Sequence, residues 1–391
     1  MKRLVKTCVL ASALCTVVLL SACGSMNPLN WFSGSDAPKP APLVNIDNAV
    51  AQRVIWQTKV GSSPSAGFAP VLVQGNIYAA GQDGTVLRVE ERTGREIWRV
   101  KLPSTLSAGV GSNGKVAVVG TTEGEVVTLD ENGRVLWRAR VSSEVLAPPA
   151  IANDLVVVRS ADSRLFAFDV RDGKRRWVYQ RAAASLSVRS AVGLTLRNGM
   201  AFSGFPGGKL VAVALNNGGL RWEGTVALPK GTTELERVAD VIGVPWIGER
   251  EACAAAFQGR VACFDLSTGN GIWARDMSSS SGLTVDGRYV FVSEERGAVS
   301  ALDRASGNSL WRQDKLANRN LSAPLSLGDT VAVGDVEGFV HLLARDTGNF
   351  MGRQATDGSS IYSAPIAITE GYLVQTGNGN LYAIAQVAPA R

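Results

Sequence analysis

The chain has 391 residues, 46% of them hydrophobic and 19% charged, so it can bury a sizeable core. Its formal net charge is +6, but three of the positive residues, Lys2, Arg3 and Lys6, belong to an N-terminal leader. The net charge that remains without the leader is too small to indicate that the protein binds nucleic acid.

The leader has the pattern of a lipoprotein signal peptide. Its basic start precedes an apolar run, residues 7–20, which is too short for a comfortable membrane span. The sequence L-S-A-C over residues 20–23 then supplies small residues for a peptidase and a thiol for lipid attachment. We predict a signal peptide over residues 1–22 and lipidation at Cys23, with an ordinary secretory signal as the alternative.

The residues after Cys23 predict an outer-membrane tether. Gly24, rather than Asp, follows the cysteine, which resembles the outer-membrane sorting pattern of Gram-negative lipoproteins. Four prolines fall within residues 24–47, which favours a semi-extended chain. We therefore predict a tether over residues 23–47, attached to the outer membrane by its lipid, and a folded body over residues 48–391 that faces the periplasm.

From Asn48 onward one short motif organises the chain. Its clearest copy, residues 265–273, has the sequence D-L-S-T-G-N-G-I-W. A further copy at Thr347–Gly348 has Gly352 in the tryptophan position, and the last copy begins at Gly379. Seven of the nine tryptophans follow this frame, roughly 40–50 residues apart: Trp56, Trp98, Trp137, Trp177, Trp222, Trp273 and Trp311.

Each copy predicts a strand, a turn and the start of another strand. Alternating residues such as Val261–Phe264 precede the motif, as in a strand. The Asx/Thr-Gly pair favours a tight turn, and the tryptophan opens the next strand and packs on a neighbour. We predict an all-β fold: an eight-bladed β-propeller of four-stranded antiparallel blades. The N-terminal strand with Trp56 would close the ring by completing the blade begun at residues 379–385.

Candidate catalytic residues are few. His341, the single histidine, lies within a predicted strand, which favours a packed or half-exposed side chain over a catalytic one. The glycine-rich stretch 109–114 precedes a predicted strand at 115–119 instead of a helix, so it lacks the context of a dinucleotide site. The recurring aspartates of the motif fit turns rather than paired acids. We predict no catalytic, cofactor or metal site.

Two cysteines remain in the predicted folded body. Cys253 and Cys263 flank a turn around Gln258–Gly259, so a hairpin would bring them near each other. One strand register makes them direct neighbours, whereas a slip of one residue does not. In an oxidising compartment they would form a disulfide, and two buried thiols are the alternative.

The frame D-x-x-T/S-G-x-x-x-W, well kept within Ala262–Trp273 and Ala301–Trp311, resembles the repeat of pyrroloquinoline-quinone (PQQ) propellers. Two families carry this repeat: catalytic quinoprotein dehydrogenases, and the outer membrane protein assembly factor BamB family of non-catalytic lipoproteins. The lipoprotein signal, the length and the eight repeats resemble the second family. This resemblance implies a scaffold of the β-barrel assembly (BAM) complex without a cofactor. A PQQ-dependent dehydrogenase is the alternative, and the chain lacks the adjacent cysteines and the acidic calcium cluster of that class.

Two connections between blades are longer than the others and contain residues 183–189 and 230–240. Extra loops on one face of a rigid scaffold are typical of binding sites, with neutral insertions as the alternative. In the BamB family such segments contact the periplasmic POTRA domains of BamA, although Ile242 here replaces an acidic residue that the family often has. Unfolded outer membrane proteins are a further expected partner, at strand edges or the broad face. The residues implied to bind BamA are Leu186, Val188, Arg189 and Asp240.

Overall fold

The computed structural model describes residues 38–47, 49–182 and 186–386. Pro40–Arg391 form one compact unit, and the other unit, Met1–Lys39, lies almost wholly outside the described residues, as do the predicted signal peptide and Cys23. Within the described ranges the regular secondary structure is entirely β. No helix in these ranges is long and apolar enough to cross a bilayer.

In the described residues, thirty-two strands form eight separate four-stranded antiparallel sheets, the blades of a propeller. The first strand, β1 (Gln52–Lys59), belongs to the last blade. Blades 1 to 4 contain β2 (Val71–Val73), β3 (Asn76–Ala80), β4 (Thr85–Glu90), β5 (Glu96–Lys101); β6 (Leu106–Ser112), β7 (Val116–Thr121), β8 (Glu125–Asp130), β9 (Val135–Arg140); β10 (Ala150–Ala152), β11 (Leu155–Arg159), β12 (Arg164–Asp169), β13 (Arg175–Gln180); and β14 (Leu194–Arg197), β15 (Met200–Phe205), β16 (Lys209–Ala214), β17 (Leu220–Thr225). Blades 5 to 8 contain β18 (Val241–Ile247), β19 (Glu251–Ala256), β20 (Arg260–Asp265), β21 (Gly271–Asp276); β22 (Ser279–Val285), β23 (Tyr289–Glu294), β24 (Val299–Asp303), β25 (Ser309–Gln313); β26 (Leu325–Leu327), β27 (Thr330–Gly334), β28 (Phe339–Ala344), β29 (Phe350–Ala355); and β30 (Ile366–Ile368), β31 (Gly371–Gln375), β32 (Asn380–Gln386) with β1.

The ring closes as the sequence predicts. In blade 8, β1 pairs antiparallel with β32, and Trp56 lies opposite Ala383. Strands from the two ends of the propeller therefore share one sheet, which packs on blade 1 and on blade 7, so both of its faces are covered as they would not be in an open array. The predicted eight-bladed all-β propeller is confirmed.

The core lies between the blades. Middle strands such as β7 and β11 are buried along their whole length, because neighbouring blades cover both of their faces. One typical cluster joins Ile77 and Leu87 of blade 1 to Leu373 and Leu381 of blade 8. The outermost strands, such as β9, instead alternate between exposed and buried residues. This difference in burial explains why the middle strands of each blade have apolar sequences and the outermost strands have mixed polar and apolar sequences.

Each motif tryptophan joins two blades. Trp273 of blade 5 packs on Gly307 of blade 6, where a Cβ would come within 2.5 Å of the indole. The φ of Gly307 is +70°, so the turn and the close approach both require glycine. The indole Nε1 of Trp273 also donates a hydrogen bond to Arg304 O at 2.8 Å. The equivalent bonds of the other six tryptophans are Trp56 to Glu91 O, Trp98 to Glu131 O, Trp137 to Val170 O, Trp177 to Leu215 O, Trp222 to Leu266 O and Trp311 to Arg345 O.

The eighth interface explains why Gly352 replaces the tryptophan. The other motif tryptophans pack on the motif turn of the next blade. In blade 8 that turn would connect β32 to β1, but these two strands come from opposite ends of the chain and no turn joins them. The N-terminal segment fills the place instead, because Val50 N–H donates to Met351 O at 2.7 Å. A Cβ on Gly352 would come within 3.0 Å of Val50 O, so the small residue fits this contact.

This segment, residues 40–47 and 49–50, is called here the N-terminal strap. Ala41 N–H donates to Ala317 O at 2.9 Å, and Arg319 Nη1 donates back to Ala41 O at 2.7 Å. Arg353 Nη2 donates to Val44 O at 3.0 Å. The tether predicted over residues 23–47 therefore overlaps a segment that is bonded to the ring from Ala41 onward.

The two arginines that bond the strap, Arg319 and Arg353, belong to a network of ionic and hydrogen-bonded side chains inside the ring. Arg319 is 1% exposed, and its Nε donates to Asp335 Oδ2 at 2.6 Å. The same carboxylate oxygen lies 2.8 Å from His341 Nε2. Arg353 Nε donates to His341 Nδ1 at 3.3 Å, and this requires the proton of the imidazole to sit on Nε2. His341 is fully buried and holds structural contacts, as the strand context predicts.

In the hairpin of β19 and β20, the strand register is the one that makes the two cysteines direct neighbours. Cys253 and Cys263 are direct cross-strand partners, with their Cα atoms 4.1 Å apart, and their sulfur atoms form a disulfide. Both side chains are fully buried.

Candidate interaction site on the long connections

The two longest connections from an outermost to the next innermost strand lie side by side. They are residues 181–193, between β13 and β14, and residues 226–240, between β17 and β18. Residues 183–185 of the first connection lie outside the described residues. Gly193 N–H, at the end of that connection, donates to Gly243 O in β18 at 3.0 Å, so the first connection runs beside the strand that follows the second. We call the described residues 186–190 and 228–240 the raised face.

The structure brings the four predicted contact residues together, but not in equivalent roles. Leu186 is 45% exposed, and Val188 is half-buried. The side chain of Arg189 is 70% exposed and pairs with Glu144 at 2.7 Å. Asp240, in contrast, is only 4% exposed. Three of the four residues can therefore meet a partner directly, whereas the aspartate lies beneath them.

Asp240 positions the loop above it. Its Oδ2 accepts the backbone N–H of Val188 at 2.7 Å, and its Oδ1 accepts that of Gly207 at 3.1 Å. Both carboxylate oxygens are thus engaged by backbone donors, and one of these bonds fixes the segment that carries Leu186 and Arg189. A buried carboxylate with such charge-assisted bonds holds a loop firmly.

The raised face also displays two leucines that were not among the predicted contact residues. Leu235 is 73% exposed and Leu228 is 55% exposed. Large apolar side chains at such exposure on neighbouring loops form a candidate docking surface. The signal for Leu235 was present in the sequence, because it lies inside a T-x-x-E stretch.

That stretch, Thr233 to Glu236, is a capping box. Thr233 Oγ1 accepts the N–H of Glu236 at 3.3 Å, and Glu236 Oε2 accepts the N–H groups of Thr233 at 3.1 Å and Thr232 at 2.7 Å. These donors, that of Thr233 first, hold the pKa of the Glu236 carboxyl below its usual value. Leu235 lies within the hydrogen-bonded turn so formed, and its side chain is exposed to solvent.

Two cavities open beside the raised face. A wide one of about 890 Å³ lies near the entries of the innermost strands, and its described charged lining residues, Glu144 and Arg189, pair with each other. A smaller one of about 230 Å³ lies beneath residues 187–190 and contacts Arg159 and Asp240. Across the described residues no group of three or more His, Cys, Asp or Glu side chains is arranged to hold a metal ion.

Comparison with known proteins identifies the family. A family model described as "Outer membrane protein assembly factor BamB" matches residues 45–105, 82–313 and 295–388. The protein of that name from Bordetella pertussis is 43% identical over 369 residues, covering 94% of this chain and 96% of its own. The chain belongs to the outer membrane protein assembly factor BamB family. A second member, from Nitrosomonas eutropha, is 42% identical and covers 98% of this chain and 95% of its own.

Solved structures agree with this assignment. The crystal structure of BamB from Moraxella catarrhalis superposes with a TM-score of 0.78 at 26% identity, covering 86% of this chain and all of that one. A quinohemoprotein alcohol dehydrogenase from Comamonas testosteroni has a TM-score of 0.66 at 13% identity, covering 88% of this chain and 78% of its own. At that identity the dehydrogenase shares only the fold. The close relatives carry the name of an assembly factor and not that of an enzyme.

Proposed function

We propose that this chain is a non-catalytic, lipid-anchored scaffold of the outer-membrane β-barrel assembly complex, which docks on the periplasmic POTRA domains of BamA. The anchor would be Cys23, after removal of residues 1–22, with the propeller on the periplasmic side of the outer membrane. The observation that carries the proposal is the raised face: Leu186 and Arg189 are exposed on a loop that Asp240 holds from below.

The chemistry of this surface suits protein docking. Exposed leucines beside an arginine combine apolar area with a charged group, and arginine is common among residues that dominate interfaces. Arg189 is not buried in its pair with Glu144, so it can reach a partner without a large desolvation cost. Because the loops are held on a rigid ring, less conformational entropy is lost when a partner binds them.

The test is the affinity of the purified protein for the periplasmic region of BamA from the same organism. Leu186→Ala/Arg189→Ala should weaken binding by roughly 10-fold or more, because it removes both a central apolar contact and a charge. A matched control is Leu136→Ala/Arg138→Ala on β9. It also removes an exposed leucine and an arginine paired with a glutamate, Glu125, at 2.6 Å. Equal losses in both variants, or no binding by the wild type, would contradict the proposal.

We further propose that the outermost strands receive extended segments of unfolded outer membrane proteins. Each such strand has one neighbour in its sheet and so a free edge. Several carry exposed aliphatic residues beside the tryptophan, among them Ile97, Leu136 and Leu310. Lysine on a strand edge opposes pairing, so Ile97→Lys/Leu310→Lys should reduce capture of a urea-diluted outer membrane β-barrel protein while leaving BamA binding intact. Unchanged capture would contradict this assignment.

A further inference from the structure

The cavity beneath the raised face contains a buried cation whose hydrogen bonds are incomplete. Arg159, at the end of β11, is 6% exposed and lines this space of about 230 Å³, called here the Arg159 cavity. Its Nη2 donates to Ser163 Oγ at 3.2 Å. Its Nε is buried and has no hydrogen-bond partner in the described part of the chain. Ser190, which lines the same cavity, has a buried Oγ that is equally unpartnered there.

Neighbouring carboxylates do not complete these bonds. Both oxygens of Asp240 accept backbone N–H groups, from Val188 and Gly207. Asp162 accepts hydrogen bonds from the hydroxyls of Ser142 and Ser143 and pairs with Arg164 at 3.3 Å. Asp240 and Asp162 thus act on Arg159 only through space. Burial lowers the pKa of the Arg159 guanidinium to about 10 in spite of them.

The remaining walls suit the stem of a side chain. Leu146, Val192, Pro206 and Val241 surround the polar floor with apolar atoms. The volume is that of roughly eight water molecules in the liquid, which is enough to admit one extended side chain. Residues 187–190 of the raised face line this cavity, so a group that entered it past these residues would belong to whatever covers the raised face.

We propose that the Arg159 cavity is a socket for a carboxylate side chain of the docking partner. The carboxylate would accept hydrogen bonds from Arg159 and Ser190 and neutralise a charge that is now buried without a direct counterion. The carboxylate would come from a glutamate or aspartate of the BamA periplasmic region. This inference rests on the proposed docking to BamA and assigns the chemistry of one contact in it.

Two variants of Arg159 test the socket. Arg159→Met removes the charge and the donors but keeps an extended side chain over Phe205, whose ring centre is 5.6 Å from the guanidinium. BamA binding should weaken roughly 10- to 100-fold, the loss typical of a charge-assisted hydrogen bond. The melting temperature of the free protein should stay equal or rise, because an incompletely bonded buried charge is gone. Arg159→Lys keeps the charge without the fork of donors and should bind with intermediate affinity.

Arg181→Met is the matched control. Arg181 also lies over the Phe205 ring, at 5.9 Å, but it pairs with Glu223 at 3.0 Å and does not line the cavity. Its loss should leave BamA binding unchanged. Wild-type affinity retained by Arg159→Met would overturn the socket while leaving the docking proposal intact. No binding by the wild type would overturn both.

The partner's residue is found by a scan. Each acidic residue of the BamA periplasmic region is changed singly to its amide, and binding is measured with wild type and with Arg159→Met. One amide substitution should weaken binding to the wild type and have little further effect with Arg159→Met, the signature of a direct pair. Fully additive losses at every acidic position would overturn the inference.

Discussion

Asp240 accepts the backbone N–H of Val188 at 2.7 Å across 52 residues of sequence, and this bond ties together the two long connections of the raised face. The aspartate is buried, so its contribution to a docking surface is the position of the loop and not its own charge.

Asp240→Asn should therefore weaken BamA binding without removing any exposed group. An amide keeps one acceptor oxygen and loses the other, so either Val188 or Gly207 loses its partner. The free energy of unfolding should fall by about 1–3 kcal/mol, as expected for a buried hydrogen bond left unmade. Urea unfolding and the BamA affinity measure the two effects. Wild-type affinity in Asp240→Asn would show that the loop holds its shape without this bond.

The contact of Trp273 with Gly307 predicts a second effect. In Gly307→Ala the new methyl group would both collide with the indole and occupy a positive-φ position, so the ring should lose several kcal/mol of stability. Gly328→Ala is the control, because Gly328 has φ +58° but nothing within 4 Å of its Cβ position. It should cost only about 1 kcal/mol. Equal losses in thermal or urea unfolding would mean that the packing of the tryptophan contributes little.

These contacts show why the fold could be predicted from the sequence. The turn, the glycine and the tryptophan lie close together in each repeat, so their local chemistry fixes a blade, and Trp56 reveals the closure. The reason for Gly352 could not be predicted from the sequence, since it depends on which turn is interrupted when the ring closes. The length of the connections indicated the raised face, but the burial of Asp240 and the contribution of Arg159 depend on packing between blades.

His341 predicts a pH dependence of stability. Burial lowers its pKa below the ordinary value of 6.5, although Asp335 opposes the shift. Between that lowered pKa and about 6.5, the unfolded chain binds a proton that the folded chain does not, so acidification favours unfolding. The stability should be complete above about pH 7 and fall below it by at most about 1.4 kcal/mol per pH unit.

The assignment to His341 is direct because it is the only histidine in the sequence. Among the motif carboxylates, the Ser267 hydroxyl, first among several donors, lowers the pKa of Asp265 to about 2. Urea midpoints at pH 7.5 and 5.5 should differ for the wild type, and the difference should shrink in His341→Gln. The same difference in both proteins would exclude the histidine as its cause.

The disulfide of Cys253 and Cys263 predicts that both cysteines resist alkylation in the native protein and that the bond adds modestly to stability. Because both sulfurs are buried, a thiol-alkylating reagent should label neither cysteine in the native protein, even with a mild reductant present. Cys253→Ala/Cys263→Ala should lower the unfolding free energy by about 3 kcal/mol, the value for a short closed loop. BamA binding should not change. Labelling of both cysteines after denaturation without any reductant would show that the pair is reduced.

Site-specific photo-crosslinking in cells tests whether the raised face contacts BamA in the assembled complex. A photoreactive amino acid at position 235, where Leu235 is 73% exposed on the raised face, is compared with one at position 136, where Leu136 is 48% exposed on the outer strand β9. Docking through the raised face predicts a crosslink to BamA from position 235 and none from position 136. Crosslinks to BamA from position 136 alone would place the interface on the outermost strands and contradict docking through the raised face.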